Sequence, residues 1–245
     1  MVKPALAKLL NVRLGRSRGR GEGGWLYALL LSAPSASAAG DGLSWFEEVT
    51  AAAGVTATHT EVYVITGQTW GDYDGDGRVD LYVTDSGGPN RLYRNSGGGE
   101  FAELDGGTAA WSLPGHTSGG ASLVDYDNDG RPDLLVLEQG EPVLLRNTTG
   151  SGFEDVSASA GLTRIGEGES AAWGDYDNDG DLDLYVVHWY YHEESKAPEN
   201  KDVLYRNDGG SFTDVTHLLD DARTRGPGFA ATFVDYDNDG DLDLY

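Results

Sequence analysis

The sequence has no cysteine and only one methionine. A disulfide framework and thiolate chemistry are therefore excluded, and stability beyond a packed core has to come from another source such as bound metal. Basic residues are scarce: 17 Lys and Arg stand against 41 Asp and Glu, a formal net charge of −24. Six of the 17 lie in the first 20 residues, so the chain without residues 1–38 carries 11 basic and 40 acidic residues, a balance of −29. Such a surface repels nucleic-acid phosphate and anionic lipid, and neither is an expected partner. No apolar run is long enough to span a bilayer as a helix. Catalytic signatures are missing too: Gly166-Glu-Gly-Glu-Ser170 is not G-x-S-x-G, and no glycine-rich loop ends in Gly-Lys-Ser/Thr. No catalytic residue and no enzymatic activity are expected.

Glycine and aromatics are abundant instead. With 36 Gly, 13 Tyr and six Trp, the composition favours turn-rich β structure over helical bundles. The first 24 residues carry Lys3, Lys8, Arg13, Arg16, Arg18 and Arg20 with one acid, Glu22. A short apolar run from Trp25 to Leu31 follows, and then Ser32-Ala-Pro-Ser-Ala-Ser-Ala-Ala39. Basic, apolar and small-residue segments in that order are those of a secretory signal peptide, with cleavage at Ala36-Ser-Ala38. Residues 1–38 are read as a signal peptide and 39–44 as a linker, which makes the mature protein secreted or held at the cell surface.

One nine-residue stretch organises the rest. Asp72-Tyr-Asp-Gly-Asp-Gly-Arg-Val-Asp80 returns as Asp125-Tyr-Asp-Asn-Asp-Gly-Arg-Pro-Asp133, Asp175-Tyr-Asp-Asn-Asp-Gly-Asp-Leu-Asp183 and Asp235-Tyr-Asp-Asn-Asp-Gly-Asp-Leu-Asp243. Each copy has Asp at positions 1, 3, 5 and 9 and Gly at 6. Those side chains, with the backbone carbonyl at position 7, offer about six to eight oxygens to a hard divalent cation, the ligand type that calcium takes. The expected ligands are Asp72, Asp74, Asp76, Arg78 (through its carbonyl) and Asp80 in the first loop, and Asp125, Asp127, Asp129, Arg131 (carbonyl) and Asp133 in the second. They are Asp175, Asp177, Asp179, Asp181 (carbonyl) and Asp183 in the third, and Asp235, Asp237, Asp239, Asp241 (carbonyl) and Asp243 in the fourth. Up to four calcium ions follow. Gly75, Asn128, Asn178 and Asn238 at position 4, with Gly at 6, suit the left-handed backbone that keeps such a loop short.

The start resembles an EF-hand, but position 12, where that motif has a bidentate Glu, is Val83, Val136 and Val186. Without an ion, four or five carboxylates would face one another in each loop. The plain alternative is a solvated acidic turn, and four copies in register weigh against it. The loops hold 18 of the 41 acidic residues, so much of the charge has a local origin.

Loop starts at 72, 125, 175 and 235 give spacings of 53, 50 and 60 residues, the period of a repeat architecture. Each repeat contains four short β-type segments bounded by Gly, Asn or Asp. In the first they are 65–70, 81–84, 91–95 and 101–104; in the second 121–124, 134–137, 143–147 and 153–157; in the third 171–174, 184–187, 203–207 and 212–216. Leu92-Tyr-Arg-Asn95, Leu145-Arg-Asn147 and Leu204-Tyr-Arg-Asn207 mark the third segment, while Phe153-Glu-Asp-Val-Ser157 and Phe212-Thr-Asp-Val-Thr216 mark the fourth. The expected fold is all-β, a β-propeller of four-stranded blades with Asp-rich calcium loops, of which about three and a half blades are present. Blades are assigned to 65–110, 118–162 and 169–217, with a truncated blade at 228–245. Phe46-Glu-Glu-Val-Thr50 with Ala52-Ala-Gly-Val55 matches a fourth segment and its exit, so 45–55 is expected to supply a ring-closing strand.

On these motifs the chain resembles the FG-GAP or VCBS repeat proteins, relatives of the calcium-binding propellers of integrin α subunits, over about residues 45–245. Trp70-Gly-Asp-Tyr-Asp-Gly-Asp-Gly and Trp173-Gly-Asp-Tyr-Asp-Asn-Asp-Gly-Asp-Leu-Asp-Leu-Tyr-Val are similar to secreted members that often carry a C-terminal ASPIC/UnbV module. The resemblance implies structural calcium sites at blade edges, with adhesion or ligand binding carried by other loops.

His188-Trp-Tyr-Tyr-His192-Glu-Glu194 fits neither H-E-x-x-H nor H-x-x-E-H, and reads as an exposed loop with packed aromatics or, less simply, as a ligand-binding face within 188–200. His59, His116 and His217 are isolated. Asn147-Thr-Thr149 has the form of a glycosylation acceptor, usable if the source glycosylates exported proteins. The reading is a secreted calcium-binding scaffold for an extracellular protein or carbohydrate ligand. The alternative is the accessory propeller of an exported enzyme acting on polysaccharide or phospholipid, with its catalytic domain beyond residue 245.

Overall fold

In every repeat the Asp loop folds one strand back on the next with the same register. The residue before the loop faces the loop's last Asp: Gly71 opposite Asp80, Val124 opposite Asp133, Gly174 opposite Asp183 and Val234 opposite Asp243. The computed structural model describes residues 47–57, 66–107, 109–149, 152–163, 166–188, 201–219 and 228–245. The expected signal peptide and linker, residues 45–46, His59 and the 189–200 insertion lie outside the described residues.

The first sheet is an antiparallel meander in the order β1 (Gln68–Gly71), β2 (Asp80–Val83), β3 (Arg91–Gly97), β4 (Glu100–Glu103). The second comprises β5 (Ser118–Val124), β6 (Asp133–Gly140), β7 (Val143–Thr149) and β8 (Gly152–Asp155); the third comprises β9 (Gly166–Gly174), β10 (Asp183–His188), β11 (Val203–Asn207) and β12 (Phe212–Asp214). β13 (Phe233–Val234) and β14 (Asp243–Leu244) pair as the start of a fourth. Four-stranded antiparallel sheets with Asp-rich loops at one end are the blades of a partial propeller. Among the described residues, no helix is long and apolar enough to cross a membrane.

Several boundaries differ from the sequence reading. β6 and β9 run longer than 134–137 and 171–174, and Gln139 and Gly140 pair with Glu167 and Gly166, joining the second and third blades into one eight-stranded sheet. Glycine permits this approach: a Cβ on Gly168 would lie 3.0 Å from the Leu137 Cβ. The fourth strands stop at Asp155 and Asp214 instead of reaching Ser157 and Thr216. Asp155 accepts the Ser157 N–H at 3.0 Å and Asp214 the Thr216 N–H at 2.9 Å, and these local bonds compete with the ladder. A single helical turn, α1 (Ser157–Ala160), follows β8.

Finally, residues 47–55, the described part of the expected ring-closing strand at 45–55, contain no strand. They form the exit turn of a repeat. The Ala53 N–H donates to Val49 O at 2.7 Å and the Val55 N–H to Thr50 O at 3.0 Å, as Ala160 does to Val156 (2.7 Å) and Leu162 to Ser157 (3.0 Å). Gly54 (φ 79°) and Gly161 (φ 91°) close the two turns. Each glycine lies against the outermost strand of the following blade, where a Cβ would sit 2.6 Å from Phe101 O or 2.4 Å from Phe212 O.

The core lies between blades, because alternating residues of each strand point to opposite faces. Tyr82 and Leu92 of the first blade meet Leu134, Val136, Val143 and Leu145 of the second. Leu135, Leu144 and Tyr126 of the second meet Leu184, Val186, Val203, Tyr205 and Phe212 of the third. Tyr185 and Leu204 continue the series against Phe233 and Leu244.

Candidate metal centres

Positions 1, 3 and 9 converge in the first three loops. One carboxylate oxygen from each of Asp72, Asp74 and Asp80 lies within 4.8 Å of the others, and the same holds for Asp125, Asp127 and Asp133 and for Asp175, Asp177 and Asp183. In the fourth loop the trio is Asp235, Asp237 and Asp239.

Local backbone chemistry builds each trio. Position 4 is left-handed in all copies (Gly75 φ 73°, Asn128 φ 56°, Asn178 and Asn238 φ 61°), as is the Gly at position 6. That path turns two N–H groups onto the first carboxylate. Asp72 accepts from Asp76 (3.0 Å) and Gly77 (2.8 Å), Asp125 from Asp129 (3.0 Å) and Gly130 (2.9 Å), Asp175 from Asp179 and Gly180 (both 3.0 Å), and Asp235 from Asp239 (3.1 Å) and Gly240 (3.2 Å).

Position 9 ties the loop to the sheet. Asp80, Asp133 and Asp183 are fully buried. Each accepts one N–H from the position-2 Tyr (Tyr73 3.2 Å, Tyr126 3.4 Å, Tyr176 2.9 Å) and one from the Asn that ends the third-strand signature (Asn95 2.8 Å, Asn147 2.7 Å, Asn207 2.8 Å). Asp243, half-buried, accepts the Tyr236 N–H at 3.4 Å.

Position 5 does different work. Asp76, Asp129 and Asp179 stand outside their triads, and Asp239 stands inside its own. All four accept the N–H of position 7, at 3.0, 3.0, 2.9 and 3.0 Å. In the first two loops the second oxygen pairs with the guanidinium of Arg78 or Arg131, whose Nε donates to Asn95 O (2.8 Å) or Asn147 O (2.9 Å). Asp181 instead accepts from Gly209 N–H (2.6 Å) and Asn128 Nδ2 (2.8 Å), and Asp241 from Asn178 Nδ2 (3.2 Å).

Burial pushes the Asp133 carboxyl up to about 7 and that of Asp183 up to about 6, and raises Asp80 in the same direction. The N–H donors pull against this shift, and the neighbouring position-3 and position-5 carboxylates add to it. Asp127 and Asp177 are raised by burial and then by Asp129 and Asp179. Carboxylates so placed are unfavourable when charged and alone, and a cation among them offsets both desolvation and mutual repulsion. The donors are all oxygen, the set that suits calcium, magnesium or manganese rather than a thiolate- or imidazole-binding metal.

Residues outside the loops sort differently. His188 is buried at the end of β10, with its N–H on Asp202 Oδ1 at 2.8 Å, and is not part of an exposed loop. His116 is not isolated: its Nδ1 lies 3.6 Å from Glu138 Oε2. Asn147 is buried and its amide is engaged, so the Asn147-Thr-Thr149 sequon is closed to glycosylation in the folded chain. The sequence reading missed the role of the third-strand Asn, although its recurrence in Leu-Tyr-Arg-Asn was the signal available.

Comparison with curated proteins finds 28% identity to cartilage acidic protein 1 of Homo sapiens over 222 residues, which cover 89% of this chain and 32% of that protein. The Mus musculus protein is 26% identical over 221 residues (89% and 33%), and the Xenopus tropicalis protein 27% over 169 residues (67% and 26%). The chain spans about a third of the length of these relatives. The FG-GAP-like repeat pattern matches residues 72–136, 125–186 and 196–245, three segments that each contain Asp loops described above. That coverage, on sheets and loops of matching design, makes this chain a member of the FG-GAP-like repeat family.

Proposed function

We propose that this chain is a secreted, calcium-binding stretch of β-propeller that serves as a non-catalytic scaffold for binding or adhesion. The observation that carries this reading is the convergence of three carboxylates in each of four loops, with a fully buried position-9 Asp in three of them. The triads would hold the ion, which supplies positive charge where the fold concentrates negative charge. Position 9 makes that ion structural, because Asp80, Asp133 and Asp183 each open a second strand and accept an N–H from the third. Holding an ion there fastens the loop to the sheet and presents a rigid blade end. A partner such as an extracellular protein or a carbohydrate would then meet a preformed surface.

Export is supported by the basic, apolar and small-residue order of residues 1–38 and by loops that suit calcium-rich surroundings. The relatives' name associates them with cartilage and with acidity, and this chain shares the acidity. Calorimetric titration of the metal-stripped chain tests the calcium reading. Three or more sites that prefer calcium to magnesium are expected, and no binding, or equal binding of magnesium, overturns it. Sequencing the N-terminus of the exported protein tests the leader: a start at Ala39 is expected, and an intact Met1 contradicts it.

A further inference from the structure

We infer that Asn147 and Asn207 are positioning residues that couple neighbouring metal centres, so that filling one loop strengthens binding at the next. The inference rests on the calcium reading above. Each Asn touches two loops at once. The Asn147 backbone N–H holds Asp133 Oδ1 of the second loop at 2.7 Å, while its Nδ2 donates to Tyr73 O of the first loop at 2.7 Å and to Pro132 O at 3.0 Å. Tyr73 lies between Asp72 and Asp74, two members of the first triad. Asn207 repeats the arrangement one blade on: its N–H holds Asp183 at 2.8 Å, and its Nδ2 donates to Tyr126 O at 2.8 Å and to Leu182 O at 3.0 Å. Tyr126 lies between Asp125 and Asp127.

Both Asn side chains are buried, at 1% and 0% exposure, so neither can exchange these bonds for water. An ion held by Asp72 and Asp74 fixes the Tyr73 peptide between them. The Asn147 amide then has a fixed acceptor, and the Asp133 carboxylate it also holds is set in place before the second ion arrives. The ordering is shared between the two sites, which is positive coupling without a large movement.

The molecule contains its own control. Asn95 occupies the same place in the first blade, holding Asp80 through its N–H at 2.8 Å and Val79 O through Nδ2 at 2.9 Å. Among the described residues it reaches no other loop.

The test is calcium titration of the full chain by calorimetry, comparing Asn147→Ala with Asn207→Ala and Asn95→Ala. In the unmodified chain, filling one site is expected to tighten its neighbour about threefold to tenfold, the size of one buried hydrogen bond. The titration of Asn147→Ala and of Asn207→Ala should lose this steepness, while Asn95→Ala weakens binding and keeps it. Asp74→Ala provides a route that leaves the bridges intact. Closing the first loop should weaken the second by the same factor, and adding Asn147→Ala should remove that dependence. An equally steep titration in the Asn147 and Asn207 variants, or independent sites in the unmodified chain, overturns the coupling and leaves the calcium reading standing. Absence of calcium binding overturns the calcium reading itself.

Discussion

Replacing Asp133 by Asn should stabilise the protein without calcium and remove most of its response to calcium at the second loop. Asp133 is fully buried, and its carboxyl is pushed from 3.8 to about 7. That span corresponds to roughly 4 kcal/mol held against the folded, charged form at neutral pH. The Asn side chain removes the charge and keeps an oxygen for the Asn147 N–H. It turns an NH2 toward the Tyr126 N–H, which loses a hydrogen bond and costs about 1 kcal/mol or more. The net gain is on the order of 2 kcal/mol, or about 4–8 °C in melting temperature for a domain of this size. Calcium at a hundred times its dissociation constant stabilises an intact site by about 2.7 kcal/mol, and this variant forgoes that at the second loop. Its advantage should therefore vanish or reverse in calcium.

The pH dependence has a defined sign. A carboxyl whose folded value exceeds its unfolded one stabilises the fold below the unfolded value and loses that contribution as pH rises through the folded one. The metal-free protein should thus weaken between about pH 4 and 7, and Asp133→Asn should lose its advantage across that window and fall below the parent near pH 4, where the neutral carboxyl carries little penalty and the variant still lacks the Tyr126 hydrogen bond. Paired thermal melts with chelator and with calcium at both pH values give the answer. A variant that melts lower than the parent without metal at pH 7, or gains as much from calcium there, refutes the reasoning.

Gly161→Ala should lower stability by more than 2 kcal/mol in urea unfolding, since φ is 91° and the new Cβ would meet Phe212 O at 2.4 Å, whereas Gly180→Ala, at φ 97° with open space, should cost about 1 kcal/mol. Asn90→Ala should cost about 2–4 kcal/mol in the same assay. It strands the Asp85 N–H (2.8 Å) and removes donors to Tyr82 OH (2.8 Å) and Ser118 Oγ (2.9 Å) in a buried network. Trp173→Ala should cost about 3 kcal/mol or more, because this side chain packs edge-on to Phe212 at 6.1 Å and donates to Ser122 Oγ across the blade boundary at 3.1 Å. Little change in that variant would count against inter-blade packing as the source of the core.

The four loops were legible in the sequence because their geometry is local. Alternate Asp residues with Gly or Asn at position 4 and Gly at 6 determine which N–H groups turn onto the first carboxylate, and nothing distant is required. The strand count was legible for the same reason, with Val203–Asn207 matching at both ends. What the sequence concealed depends on partners far along the chain. Asp76 and Asp129 look like ligands by spacing, and their pairing with Arg78 and Arg131, whose Nε groups are held by carbonyls on the third strand, is invisible in the sequence. Asn147 looks like a glycosylation acceptor until the blade of Tyr73 is set against it. The ends of β8 and β12 were overextended because Asp-Val-Ser/Thr satisfies a pattern of β-formers while its Asp folds onto the next N–H but one.

Diffraction from crystals grown in calcium, with anomalous scattering used to locate the ions, addresses the central claim most directly. A peak is expected in each of the first three loops, with oxygens of positions 1, 3 and 9 about 2.3–2.6 Å from the ion. Loops without a peak, or ions bound elsewhere on the acidic surface while Asp80, Asp133 and Asp183 stay uncoordinated, would contradict it.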